Sequence, residues 1–448
     1  MSLFQNKESA FRRRTLYLPL NTDKNAPIIR KLTSPPERNP SMTTNNRPFQ
    51  SFRGPALKMA DIAPFHVMEI LGYAKELKAG GREIIHMEIG EPDFPTPEPI
   101  VEAGIRALRA GHTGYTATLG LPELKERIAD FYRQRHGVDI PARRIAITPG
   151  ASGALQIVLA TLIDPGDEVV IADPGYPCNR NMIRLFEGNA IDIPVRSDTG
   201  YQLTPELVSR HATPSTSAIV LTTPSNPTGA LAPLRNMAGI IEEANCLGAR
   251  VVLDEIYLEL VYDAVTEIVP DADKADIGTA AALSDEIFVI SGFSKYFGMT
   301  GWRLGWAIIP DPFLREFEKL AQNLYLSAPT VAQRAALSAF RPETLTILEE
   351  RRREFQRRRN FLLPALRNIG FRIPIEPRGA FYLYADCGRF TEDSLSFAYD
   401  LLENAGVAVT PGIDFGRNAS NRYLRFAYTT GMENLREGVE RLRRYLSG

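Results

Sequence analysis

The chain is poor in the residue patterns that announce common biochemical devices. Three cysteines, Cys178, Cys246 and Cys387, stand far apart with no CxxC spacing. That argues against a disulfide framework or a zinc knuckle and leaves buried thiols as the expectation. Five histidines (His66, His86, His112, His136, His211) include no HExxH, so structural roles are expected and no metal site is indicated. Neither GxxxxGKS, GxxxxGKT nor GxGxxG occurs, which removes two common nucleotide-cradling loops. An excess of either charge is missing as well: 52 lysines and arginines face 53 acidic residues, so no long-range field draws the molecule to nucleic acid or an anionic membrane. No apolar run approaches the roughly 18 residues of a membrane span, and the opening MSLFQNKES lacks the apolar core of a secretion signal. A cytoplasmic chain with no nucleic-acid or membrane partner is expected.

What is present is 448 residues with 44% hydrophobic and 23% charged content, enough for one sizeable core or two. Residues 1–57 carry ten lysines and arginines against Glu8, Asp23 and Glu37, with scattered Pro, Asn, Ser and Thr, and read as a basic, disordered arm. Its acidic residues and the PPERNP stretch spoil a transit-peptide helix. Beyond it, helix-period segments such as IAPFHVMEILGYAKELKAGG and LPELKERIADFYRQRHG alternate with β-branched runs: EVVIAD, AIDIPV, SAIVLTT, RVVLDE, EIFVIS and LGWAII. Continuous apolar strands between helices predict an α/β domain over residues 96–325 with a mostly parallel sheet flanked by helices. A long charged helix and the strand-like FRIPIE, AFYLYAD, VAVT and RYLRFAY predict a smaller α+β domain over residues 326–448, joined by the segment 58–95.

In open sheets of this kind ligands gather where loops leave the carboxyl ends of strands. At such positions stand Gly150-Ala151-Ser152-Gly153, opening a helix whose N–H groups suit a phosphate, with Ser152 as an ordinary cap the plainer alternative. Others are Asp254 and Tyr257 after RVVLD, Asn226 in the turn TTPSNPTG, and Tyr176 in DPGYP. In SGFSKYFGMTGWRLGW, Lys295 follows a strand among small residues and Arg303 lies eight positions on. An amine there can form an imine, and the guanidinium offers a planar fork to phosphate. Together these are the demands of pyridoxal 5′-phosphate: Lys295 for its aldehyde, residues 150–152 and Arg303 for its phosphate, and Asp254 to keep the ring nitrogen protonated. Tyr257 and Asn226 suit its ring hydroxyl, and Tyr176 could stack on the ring.

With ADPGYP, SNPTG and GFSKYFGMTGWR in this order, the chain resembles the class I/II aminotransferases of fold type I from about residue 60 to its end. The resemblance implies a seven-stranded type of sheet and transamination between an L-amino acid and a 2-oxo acid in a ping-pong cycle. It implies a homodimer with shared active sites, in which Tyr115 reaches the neighbouring subunit's cofactor phosphate. It also places Gly90 of IGEPDF and Arg425 of YLRFAY at the substrate, Arg425 holding the α-carboxylate, and gives Lys295 a second task as general base. The phosphate turn departs from the family pattern in reading GASG, and Gly292 stands where many relatives have serine, so contacts from Ser291 or Ser294 are expected. A carbon–sulfur β-lyase and a cyclopropane-forming synthase share this cage, and a cofactor-binding sensor is a further alternative. No second arginine can be assigned to a distal carboxylate, which points to a neutral or broad substrate, in a pocket expected around residues 62–66, Thr118, Tyr325 and Ile413.

Overall fold

The computed structural model describes residues 54–262 and 276–447, so the expected basic arm falls almost wholly outside it. A short strand β1 (Ile85–His86) precedes seven strands of one sheet: β2 (Ile145–Thr148), β3 (Glu168–Asp173), β4 (Asn189–Pro194), β5 (Thr216–Thr222), β6 (Arg250–Asp254), β7 (Phe288–Gly292) and β8 (Gly305–Ile308). Their spatial order is β2-β8-β7-β6-β5-β3-β4. From β7 through β4 every pairing is parallel, and β8 alone runs against both its neighbours. The apolar runs are continuous because both faces are covered. Along β3, Val169 and Ile171 pack on one side with Ala154, Leu155 and Val158, whereas Val170 packs on the other with Met237 and Ile240. Each such side chain contributes roughly 1.5–3 kcal/mol on full burial.

Helices α1 (His66–Ala79), α2 (Glu98–Arg109), α3 (Pro122–His136), α4 (Gly150–Leu162), α5 (Pro177–Leu185), α6 (Pro205–His211) and α7 (Leu234–Leu247) come before or between these strands. The helical run read from Ile62 begins only at His66, where the Asp414 carboxylate accepts the His66 and Val67 N–H groups at 3.0 and 2.9 Å. Those are orphan donors that the helix itself cannot satisfy.

Four strands follow: β9 (Tyr382–Asp386), β10 (Val407–Ala408), β11 (Thr410–Pro411) and β12 (Tyr423–Ala427). β11, β12 and β9 form an antiparallel sheet, and β10 pairs in parallel with β1. FRIPIE is not a strand; it makes one isolated bridge, Arg372 to Asp386. Pro374 and Pro377 have no N–H to offer a ladder. The charged helix runs from Pro342 to Ile369 and carries Pro364 inside it.

The thiols differ from expectation. Only Cys387 is buried; Cys178 is half-buried and Cys246 exposed. On α7 the buried stripe is Met237, Ile240, Ile241 and Ala244, and Cys246 falls off that face. Among the described residues no helix is long and apolar enough to cross a membrane, and no group of three or more His, Cys, Asp or Glu could hold a metal ion.

Candidate active site

The loops after β2, β3, β5, β6 and β7 leave the same edge of the sheet and enclose a cavity of about 460 Å³. Of the residues singled out for the cofactor and the α-carboxylate, Gly90, Ala151, Ser152, Tyr176, Asn226, Asp254, Tyr257, Ser294, Lys295, Arg303 and Arg425 line it; Gly150 lies beneath Arg303, and Tyr115 is 82% exposed elsewhere on the chain.

At the turn after β2, Gly150 has φ +77°, and a Cβ there would stand 2.7 Å from the Arg303 Nη2. Gly305 permits a second close approach, since its Cβ would stand 2.5 Å from the Ala151 nitrogen. Small residues are thus required on both sides of the turn. Ser152 does not cap α4: the cap position is Pro149, with no side-chain hydrogen bond, and Ser152 lies inside the first turn. Its hydroxyl lines the cavity instead. Arg303 itself has φ +53°, a left-handed conformation that costs a bulky side chain of order 1–3 kcal/mol and that surrounding packing must hold. Its Nη1 donates to the Thr300 carbonyl at 3.1 Å.

Asp254 ends β6 and is 8% exposed, and its Oδ1 accepts the Ile256 N–H at 3.1 Å. Burial raises its carboxyl to about 6, against the pull of that N–H and of Lys295. Lys295 donates to the Gly90 carbonyl at 2.8 Å. Burial lowers its ammonium to about 8; Arg425 and Arg303 push the same way, and Glu91 and Asp254 oppose them. Tyr257 stands 4% exposed with its hydroxyl 2.8 Å from that of Tyr382.

Arg425, on β12, is 3% exposed and lies between two rings, Tyr382 at 4.5 Å and Phe415 at 4.8 Å. Its Nη1 donates to Asn226 Oδ1 at 3.0 Å, and its Nη2 to Thr410 Oγ1 at 3.1 Å and to the Glu88 carbonyl. Its buried Nε has no partner among the described residues, an unsatisfied donor of the kind a carboxylate satisfies.

These residues fit pyridoxal 5′-phosphate: a buried acid without a cation against it, a lysine shifted toward its free base, and a guanidinium pressed on a glycine turn at a helix start. The sequence from residue 82 to 442 matches the family model "Aminotransferase class I and II". The chain belongs to this aminotransferase family. Curated relatives include the (5-formylfuran-3-yl)methyl phosphate transaminase of Methanocaldococcus jannaschii, 38% identical over 87% of this chain and 99% of that protein. The valine–pyruvate aminotransferase of Mycobacterium tuberculosis is 33% identical over 86% of this chain and 97% of its own. Among solved structures, an aminotransferase from Mycobacterium tuberculosis superposes with a TM-score of 0.83 at 34% identity, covering 88% of this chain and all of that one. The aspartate aminotransferase from Thermus thermophilus with maleate gives 0.80 at 32% identity, over 88% of this chain and all of that one. The protein is an aminotransferase that works with pyridoxal 5′-phosphate.

Sequence reasoning missed part of this aminotransferase site. Tyr382 and Thr222 line the cavity, as do Phe65, Val67, Met68, Leu71 and Ile89. Tyr382 was legible in principle, because alternation along β9 and β12 sets it diagonally across from Arg425 on one face. The pocket expected around Ile62, Thr118, Tyr325 and Ile413 is not where the cavity lies; of that set Phe65 alone, within residues 62–66, is in its wall. Tyr325 packs against the core beneath the sheet instead. Arg378 takes a backbone role, its N–H donating to the Gly229 carbonyl at 3.1 Å.

Proposed function

We propose that this aminotransferase moves the amino group of an L-amino acid with a neutral, largely apolar side chain to a 2-oxo acid, in a ping-pong cycle. The observation that carries this reading is the composition of the cavity wall. Its cations among the described residues are Lys295, Arg303 and Arg425, each with a task, and the remaining wall offers Phe65, Val67, Met68, Leu71 and Ile89. Glu91 in the same wall disfavours a second substrate carboxylate. A relative named for valine and pyruvate supports the same class.

In this reading the Arg425 fork takes the α-carboxylate with Asn226 steadying it, and Gly90 leaves room beside them. Ala151, Ser152, Ser294 and Arg303, over the Gly150 turn, hold the phosphate. Tyr176 lies on the ring face, and Tyr257 and Asn226 meet the ring oxygen. Asp254 keeps the ring nitrogen protonated. When bound, the ring supplies the electron sink for the pair left behind as the α-proton departs. Lys295 carries the cofactor between turnovers and, once displaced by the substrate amine, takes the α-proton on its Nζ. A lysine lowered to about 8 exchanges that proton near neutrality.

The homodimer and the division near residues 95 and 325 belong to the same proposal. The dimer is supported by Tyr115, Leu324 and Leu326, all more than half exposed; Thr330 Oγ1 bonding the Gly114 carbonyl at 2.6 Å ties the two segments together. The division is supported by the large sheet lying within residues 145–308 and the small one within 382–427.

A half-reaction screen on the loaded protein tests the substrate class. Valine, leucine, methionine or phenylalanine should bleach the colour of the lysine-bound cofactor and yield the matching 2-oxo acid. Preference for aspartate or glutamate by tenfold or more would overturn the neutral assignment. Release of ammonia and thiol from cysteine conjugates, without transamination, would move the reading to a carbon–sulfur lyase.

A further inference from the structure

One buried phenol, given no role so far, touches three parts of the site. Tyr382, on β9, is 1% exposed. Its hydroxyl lies 2.8 Å from that of Tyr257, its ring 4.5 Å from the Arg425 guanidinium carbon, and a Cβ on Gly90 would meet its Oη at 2.2 Å. Gly90 in turn accepts the Lys295 amine at 2.8 Å.

Two phenols that touch hold two protons but share only one bond. Among the described residues the Tyr257 hydroxyl is the only hydrogen-bond partner of the Tyr382 hydroxyl. Either hydroxyl could donate in the pair alone; if Tyr257 gave its proton to Tyr382, none would be left for the cofactor's ring oxygen, so that role requires Tyr382 to be the donor. The charged groups nearby are engaged elsewhere: Arg425 on β12 donates to Asn226 and Thr410, and Lys295 after β7 donates to the Gly90 carbonyl. Tyr176 at the start of α5 bears on Tyr257, and both line the cavity.

We propose that Tyr382 is a positioning residue: its hydroxyl donates to the Tyr257 oxygen and so turns the Tyr257 proton into the cavity, while its ring holds the Arg425 fork flat. The proposal rests on the reading of Tyr257 as the donor to the cofactor's ring oxygen. A chain of two donors in series strengthens the second. A donor on the ring oxygen favours the state in which the neighbouring lysine nitrogen has lost its proton, so weakening that donor moves the colour change of the loaded enzyme to higher pH.

The test is a spectrophotometric pH titration of the loaded enzyme, without substrate, in four forms: wild type, Tyr257→Phe, Tyr382→Phe and the double variant. Tyr382→Phe should move the midpoint up by about half a unit, roughly threefold in the proton-binding constant. Tyr257→Phe should move it further, and the double variant should match Tyr257→Phe. The KM for the amino acid should stay within about twofold in Tyr382→Phe, which keeps the ring over Arg425, and rise roughly five- to tenfold in Tyr382→Leu, which removes it. A shift in Tyr257→Phe with none in Tyr382→Phe, at unchanged melting temperature, overturns the proposal alone. No shift in Tyr257→Phe overturns the underlying assignment of Tyr257, and this proposal with it.

Discussion

Asp254 and Lys295 leave the carboxyl ends of adjacent parallel strands, and burial drives each toward its neutral form, the acid up to about 6 and the amine down to about 8. They make no direct ion pair; each only moderates the other's shift. The arrangement is a poor one for two charges by themselves and a good one for a cationic, aldehyde-bearing ring between them.

The pH behaviour of the cofactor-free protein follows from these shifts. Lys295 binds fewer protons folded than unfolded between about 8 and the usual 10.5, so its contribution to stability improves as pH rises through that window. Asp254 does the reverse: folded protein holds its proton between the usual 3.8 and about 6, so stability falls as pH rises there. The rate of covalent cofactor uptake should climb as pH rises to about 8 and then level off. An uptake rate flat from pH 6 to 10 would remove Lys295 as the reacting amine.

Asp254→Asn keeps the shape and removes the charge that the proposed function assigns to the cofactor's ring nitrogen. The kcat should fall by roughly 100-fold or more, the worth of a charge-assisted bond in the transition state of about 3 kcal/mol. Since burial of the ionised acid is itself unfavourable, the cofactor-free variant should melt no lower than wild type. Steady-state kinetics and calorimetry check the two halves separately.

Gly305→Ala sets a methyl group 2.5 Å from the Ala151 nitrogen and 2.6 Å from the Gly150 carbonyl carbon. Backbone must shift to admit it, and it presses on the turn at Gly150, the proposed seat of the phosphate. Cofactor affinity should drop at least tenfold, while KM for the amino acid, measured at saturating cofactor, changes little. Equal loss in both would place the damage elsewhere.

Arg425→Lys retains the charge but loses the flat fork stacked between Tyr382 and Phe415. The kcat/KM for amino acids should fall by roughly 100-fold, a difference of about 2–3 kcal/mol. Binding of the cofactor itself should be unaffected, as absorbance titration would show.

The residue types that perform chemistry were legible because each stands at the end of an apolar run, where the chain leaves a sheet. Lys295, Asp254, Asn226, Tyr176 and the glycine turn at 150 were found by that rule and meet in one cavity. Boundaries were less legible: Pro374 and Pro377 withheld strand pairing from a run that looked β-branched, and α1 began only where Asp414, far along the chain, supplied its cap.

By itself the sequence determined the strands of the large sheet, because burial on both faces of a parallel sheet demands continuous apolar runs, a purely local signature. It also determined the reactive set, since an imine-forming amine, an acid, a phenol and a guanidinium must each be spelled out as residues. Only the tertiary structure decided that Tyr382 would join Tyr257 to Arg425, that Phe65, Val67 and Met68 would line the cavity, and that Thr118, Tyr325 and Ile413 would not. Those contacts join segments well separated along the chain, and which side chains face one another across such a separation is set by how sheets and helices pack, which no local pattern encodes.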